Sequence, residues 1–150
     1  MVRLLVTFLV VLITLSGCAS VGGPEKQVDE RGMRTDLDPL TSRFPAIGEP
    51  VSASWMSGTL GDRDAPGPSS YWIDGVVTLA PDTAERLRAE HAPAPGGDGP
   101  DLVEEVARLV PDAELTRSDA LDAAVSHDGW AVRAWLVTGE DVLVLEAKGE

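Results

Sequence analysis

Cysteine is nearly absent from this sequence, with Cys18 the only one. A single thiol closes no internal disulfide and builds no cysteine-rich metal site. Asparagine is missing altogether, and two lysines stand against ten arginines. No apolar run is long enough for a permanent transmembrane helix. The run Leu4 to Leu15 reaches about 18 Å at ~1.5 Å per residue, short of a hydrocarbon core of ~30 Å. Basic charge is scarce as well. After Cys18 there are 11 basic and 25 acidic side chains, a net of −14. Such a charge repels nucleic acid and anionic lipid and favours solubility. No nucleic-acid partner is therefore expected, and the simplest account of the charge is an acidic, solvated surface.

Arg3 followed by the apolar stretch LLVTFLVVLITL has the layout of a secretory signal, a basic start and a short apolar core. The small residues Ser16 and Gly17 stand where a peptidase needs them, directly before Cys18. Leu15-Ser16-Gly17-Cys18 resembles the lipobox of bacterial lipoproteins. The resemblance implies cleavage between Gly17 and Cys18 and a diacylglyceryl group on the Cys18 sulfur. It also implies a membrane partner, because two buried acyl chains hold a protein far better than one. The Ala-, Gly- and Pro-rich, Asn-free composition fits a GC-rich genome, and with the lipobox the chain resembles an actinobacterial lipoprotein. It would then be lipid-anchored at the cell membrane, on the outer face of the cytoplasmic membrane.

Three segments follow: a signal peptide over 1–17, the lipidated cysteine with a flexible tether over 18–45, and one domain over 46–150. Ala19 to Pro45 mixes small, charged and chain-breaking residues without a sustained apolar period. Leu37, Leu40 and Phe44 are its apolar residues with a capacity to dock on the domain.

Within the domain, Val51 to Leu60 and Tyr71 to Leu79 alternate like strands, joined by a Gly/Pro-rich loop. Pro81 to His91 reads as a helix, with proline and acids early and Arg86, Arg88 and His91 late. Asp101 to Val110 carries the strongest helical apolar period and ends at Pro111. Ser118 or Asp119 caps a further short helix. Trp130 to Thr138 and Asp141 to Ala147 form a hairpin about a two-residue Gly139-Glu140 turn. The expected fold is α+β: a small antiparallel sheet in ββ-α-α-ββ order with helices packed on one face.

No catalytic constellation stands out. Ser126-His127-Asp128 has the letters of a nucleophilic triad, but adjacent side chains diverge. No G-x-S-x-G motif is present, and His91 and His127 lie far apart in sequence. Asp62-Arg63-Asp64 is a weak calcium candidate, with Asp74 a further ligand if the strands pair; hard cations want six to eight oxygens. The alternative is a solvated turn with an Asp bonding its own backbone. No metal and no cofactor are assigned. Glu104-Glu105 sit on the expected solvent side of a helix. Opposed parity along the strands leaves Trp72 and Trp135 off the main core. With Tyr71 and Arg63 they are the expected binding surface. The function expected is a non-catalytic binding module with a protein or cell-wall partner. A small-molecule or cation sensor is the alternative, ahead of a small wall-associated enzyme.

Overall fold

The structure, a computed structural model, describes residues 24–62, 64 and 66–150. Four long strands form its centre: β2 (Ser52–Leu60), β3 (Ser70–Thr78), β6 (Trp130–Val137) and β7 (Val142–Gly149). Each alternates apolar and polar residues, or is apolar throughout, as strands with one or two covered faces must. Three short strands extend the sheet: β1 (Lys26–Val28), β4 (Ala94–Pro95) and β5 (Leu115–Arg117). The result is a seven-stranded sheet in the order β1-β2-β3-β7-β6-β5-β4, antiparallel at every pairing. The α+β class and antiparallel sheet hold, whereas the small sheet and the simple ββ-α-α-ββ order do not.

Strand register sorts the side chains onto two faces. Ala53, Trp55, Ile73, Val77, Leu143, Leu145, Val132, Ala134 and Leu136 point to the first. Three helices cover this face: α1 (Asp38–Arg43), α2 (Pro81–His91) and α4 (Asp119–Val125). They bury Leu40, Ala84, Leu87, Leu121 and Val125 against the sheet, with Phe44 and Ile47 from the turn after α1. Ser118 caps α4, its hydroxyl oxygen accepting the Leu121 N–H at 3.1 Å.

The tether expected over 18–45 is corrected for its described part. Lys26 to Val28 pair with β2, and Leu40 and Phe44 are fully buried. Burying such side chains is worth about 1.5–3 kcal/mol each, enough to order a short segment that otherwise reads as linker.

The second face is covered too, which corrects the one-sided arrangement. Met56, Trp72, Trp135, Val137, Val142 and Val144 point there and meet residues 102–110. The helix expected over 101–110 shrinks to a single turn, α3 (Glu104–Ala107). Two carboxylates are the reason. The Asp101 N–H donates to Glu146 Oε2 at 3.2 Å and the Val103 N–H to Asp74 Oδ2 at 2.8 Å. Val103 is thereby held extended, at φ −60° and ψ 147°. The β6–β7 connection also differs from the two-residue turn expected. The turn runs from Val137 to Glu140, the Glu140 N–H reaching the Val137 carbonyl, with Gly139 at φ +78°. Only glycine takes that conformation without strain.

Gly58 permits the β1–β2 pairing. A Cβ there would overlap the Gln27 carbonyl oxygen and crowd the Trp72 indole nitrogen. Gly58→Ala is expected to lift β1 from the sheet and cost about 1–3 kcal/mol, as overpacked sites do. Hydrogen exchange checks this: faster exchange confined to residues 26–29 is the expected result, and unchanged protection contradicts it.

Candidate functional site

The helices leave one end of the first face bare. The last cross-strand row there is Thr59, Tyr71, Gly149 and Trp130, side by side on β2, β3, β7 and β6. This row borders an open cleft of ≈ 410 Å³, with Ser57 and Ile73 from the next row and Arg34 and Arg43 from the chain before β2. The volume lies in the range of small-molecule sites, about 300–1,000 Å³.

Each wall has a local cause. Trp130 spreads its ring over Gly149, where a Cβ would come within 2.7–2.9 Å of ring carbons. Phe44 meets the same ring edge-on at 6.0 Å and 81°. Tyr71 stands beyond the helices and stays 45% exposed. Arg34 is fixed by backbone: its N–H donates to the Trp55 carbonyl at 2.8 Å and its carbonyl accepts the Trp55 N–H at 2.9 Å. Its guanidinium sits 3.9 Å from the centre of the Trp55 ring. Asp36 holds that guanidinium from the side, accepting from Nε at 3.0 Å and Nη2 at 2.5 Å. The bond to Arg34 keeps the Asp36 carboxyl below its ordinary range.

Arg43 lies at the end of α1, 5.9 Å from the centre of the Trp130 ring. One of its N–H groups reaches the Pro39 carbonyl at 2.9 Å. It forms no ion pair among the described residues. Asp29 lines the opposite side. Burial pushes its carboxyl up, but bonds from the Ser57 hydroxyl (2.6 Å) and the Arg31 N–H (2.8 Å), with the Arg31 and Arg34 charges, bring it below its ordinary range. The cleft can therefore hold a small molecule against aromatic surface beside a guanidinium with donors to spare.

A second polar cluster lies on the other face, around two buried carboxylates. Asp74 and Glu146 are cross-strand neighbours, both buried. Lys26 Nζ sits 2.8 Å from Asp74 Oδ2 and also reaches the Asp101 carbonyl. Arg133 and Lys148 approach Glu146 at 3.6 and 3.4 Å. Burial pushes the Asp74 carboxyl up; the Lys26 and Val103 bonds oppose this, and the neighbouring Glu146 charge adds to it. These groups clamp residues 101–103 onto the sheet.

Among the described residues of the binding surface expected from sequence, Tyr71 alone is exposed. Trp72 and Trp135 are corrected: both lie off the helical core as their parity demands, yet they are buried beneath residues 102–110. Arg63 lies outside the described residues, as do Gly17 and Cys18. Asp62 Oδ1 accepts the Asp64 N–H at 2.9 Å, the local turn bond of an aspartate. Asp74 is engaged by Lys26 and Val103 and does not join them. Among the described residues no three His, Cys, Asp or Glu side chains form a metal cluster.

Of the adjacent side chains expected to diverge, Ser126 does turn away from His127, whereas His127 and Asp128 come together. His127 Nε2 comes within 3.1 Å of Asp128 Oδ2. The Ser126 hydroxyl instead donates to the Asp122 carbonyl and accepts the Val132 N–H, each at 2.8 Å, so it serves the end of α4. Glu104 and Glu105 are exposed, with Glu104 paired to Arg108.

Arg34, Arg43 and Trp130 were not singled out by sequence as site residues. The one available signal was their chemistry: Arg31, Arg34 and Arg43 cluster within thirteen residues of an acidic chain. No protein-family model matches the chain, and neither the curated proteins nor the solved structures contain a match to it.

Proposed function

We propose that the protein is an extracytoplasmic, lipid-anchored binding module that takes its ligand in the cleft between Tyr71, Trp130 and Arg43. The lipobox-like Leu15-Ser16-Gly17-Cys18 supports the anchor. The cleft supports the binding role: it lies at the end of the first face that the helices leave bare, and it pairs aromatic walls with a guanidinium that has no ion-pair partner among the described residues. Nothing in this reading requires bond-making. The Ser126 hydroxyl is spent on backbone partners, and the buried carboxylates of Asp74 and Glu146 are spent on the clamp.

The two halves are tested separately. Cys18→Ala is expected to move the protein from the membrane to the soluble fraction or leave it unprocessed. A variant that fractionates and migrates like the wild type contradicts the anchor. For the cleft, a thermal screen of the full chain with organic acids, phosphates, sugars and wall fragments is expected to find a stabilising ligand. Tyr71→Ala should abolish that shift. A shift that survives this substitution places binding elsewhere.

A further inference from the structure

Resting on the binding reading above, we infer that the ligand of the cleft is a small organic oxyanion. Its carboxylate or phosphate lies on Arg43, and its apolar or ring-shaped body lies against Tyr71 and Trp130. Three observations carry this choice over a cation or a neutral ligand.

First, Arg43 keeps guanidinium donors free among the described residues. Arg34 has Nε and Nη2 engaged by Asp36 and one face on Trp55. Arg43 spends one N–H on Pro39 and pairs with no carboxylate among the described residues. A planar fork of N–H donors matches carboxylate and phosphate in two-point contact.

Second, two of the aromatic rings that line the cleft already carry a guanidinium. Arg34 sits over Trp55 at 3.9 Å, and Arg43 stands beside Trp130 at 5.9 Å. A second cation there would meet those guanidiniums as well as the rings.

Third, one of the two acids of the lining, Asp29, is occupied. Asp29 accepts from the Ser57 hydroxyl and the Arg31 N–H and lies close to the Arg31 and Arg34 charges. Glu150 is the remaining acid of the lining and makes no hydrogen bond or ion pair among the described residues. Its charge opposes an anion, so its neutralisation is expected to strengthen binding.

The test is calorimetric titration of the full chain, reconstituted in neutral phosphatidylcholine nanodiscs with empty discs as the blank. Phenyl phosphate, benzoate and uncharged benzyl alcohol are the probes. At least one anion is expected to bind saturably, with benzyl alcohol weaker by about tenfold or more. Comparing phenyl phosphate with benzoate separates phosphate from carboxylate preference. Arg43→Gln should cost the anion about tenfold or more and leave benzyl alcohol unchanged. Glu150→Gln should tighten the anion, and Tyr71→Ala should weaken all three probes. Equal affinity for charged and uncharged probes, or anion binding indifferent to Arg43→Gln, overturns the oxyanion assignment while leaving the cleft as a binding site. No saturable heat with any probe, or binding indifferent to Tyr71→Ala, overturns the cleft reading itself.

Discussion

Replacing Trp72 with alanine is expected to cost ~3–5 kcal/mol of folding stability, the range for truncating a large aromatic in a packed core. The side chain is 0% exposed. It lies between Met56 on the sheet and Val106 above it, with Leu60, Leu102 and Val103 around the edge. Its indole N–H donates to the carbonyls of Gln27 (3.2 Å) and Thr59 (3.1 Å), tying β1 to β2. Lys26 stands 5.5 Å from the ring centre. Truncation therefore opens a cavity and removes the support of both β1 and residues 102–106. Urea denaturation reads the loss as a lower midpoint at nearly constant slope. Tyr71→Ala, one residue away on the exposed side, is expected to move the midpoint far less. Similar shifts for the two would contradict the two-faced burial of β3.

Asp74→Ala is the second large effect, again ~3–5 kcal/mol, because removing one partner of a buried pair leaves the other uncompensated. The Lys26 side chain is 14% exposed and would lose its carboxylate, as would the Val103 N–H. Loss of the clamp should also speed hydrogen exchange across residues 101–107. The isosteric Asp74→Asn separates charge from shape. Burial raises the native Asp74 carboxyl above its ordinary 3.8, so the folded state binds this proton more tightly than the unfolded chain. Stability linked to Asp74 therefore rises as pH falls through the native value and is complete below the unfolded one. Measured against Asp74→Asn, the wild type should gain stability from neutrality down to about pH 4. Asp29 and Asp36 act in the opposite direction. Their native values lie below 3.8, so their contributions are lost as pH falls through that lower window. A wild type that loses stability relative to Asp74→Asn between pH 7 and 4 contradicts the direction assigned to Asp74.

Long periodic elements were legible in the sequence. Pro81–His91 is a helix over its full expected length, and the four long strands lie within two residues of their expected bounds. Proline at the helix start and strict alternation in YWIDGVVTL are local signals that tertiary context reinforced. The short strands were not legible, since two or three residues show no period. Parity placed Trp72 and Trp135 correctly off the helical core. Their burial is not legible locally because their cover comes from residues distant in sequence. Those residues looked like an independent amphipathic helix, and only the buried Asp74 and Glu146 carboxylates, drawing the N–H groups of Val103 and Asp101, explain why most of it is extended. The lone aspartate within an apolar strand was the available clue. The cleft was hidden for a different reason. Arg34 and Arg43 fall in a stretch that reads as linker, and β1 and α1 bring it onto the sheet.

The most direct test of the account is photo-crosslinking from inside the cleft in living cells. A benzophenone amino acid is placed at Tyr71 in the anchored full chain, and in a second strain at Leu109, which is equally exposed at 45% but belongs to the segment covering the other face. Intact-protein mass spectrometry after irradiation reads the adducts. A defined adduct at position 71, absent at 109 and diminished by Arg43→Gln, is the predicted result. No adduct at 71, or the same adduct at both positions, would contradict the cleft as the ligand seat.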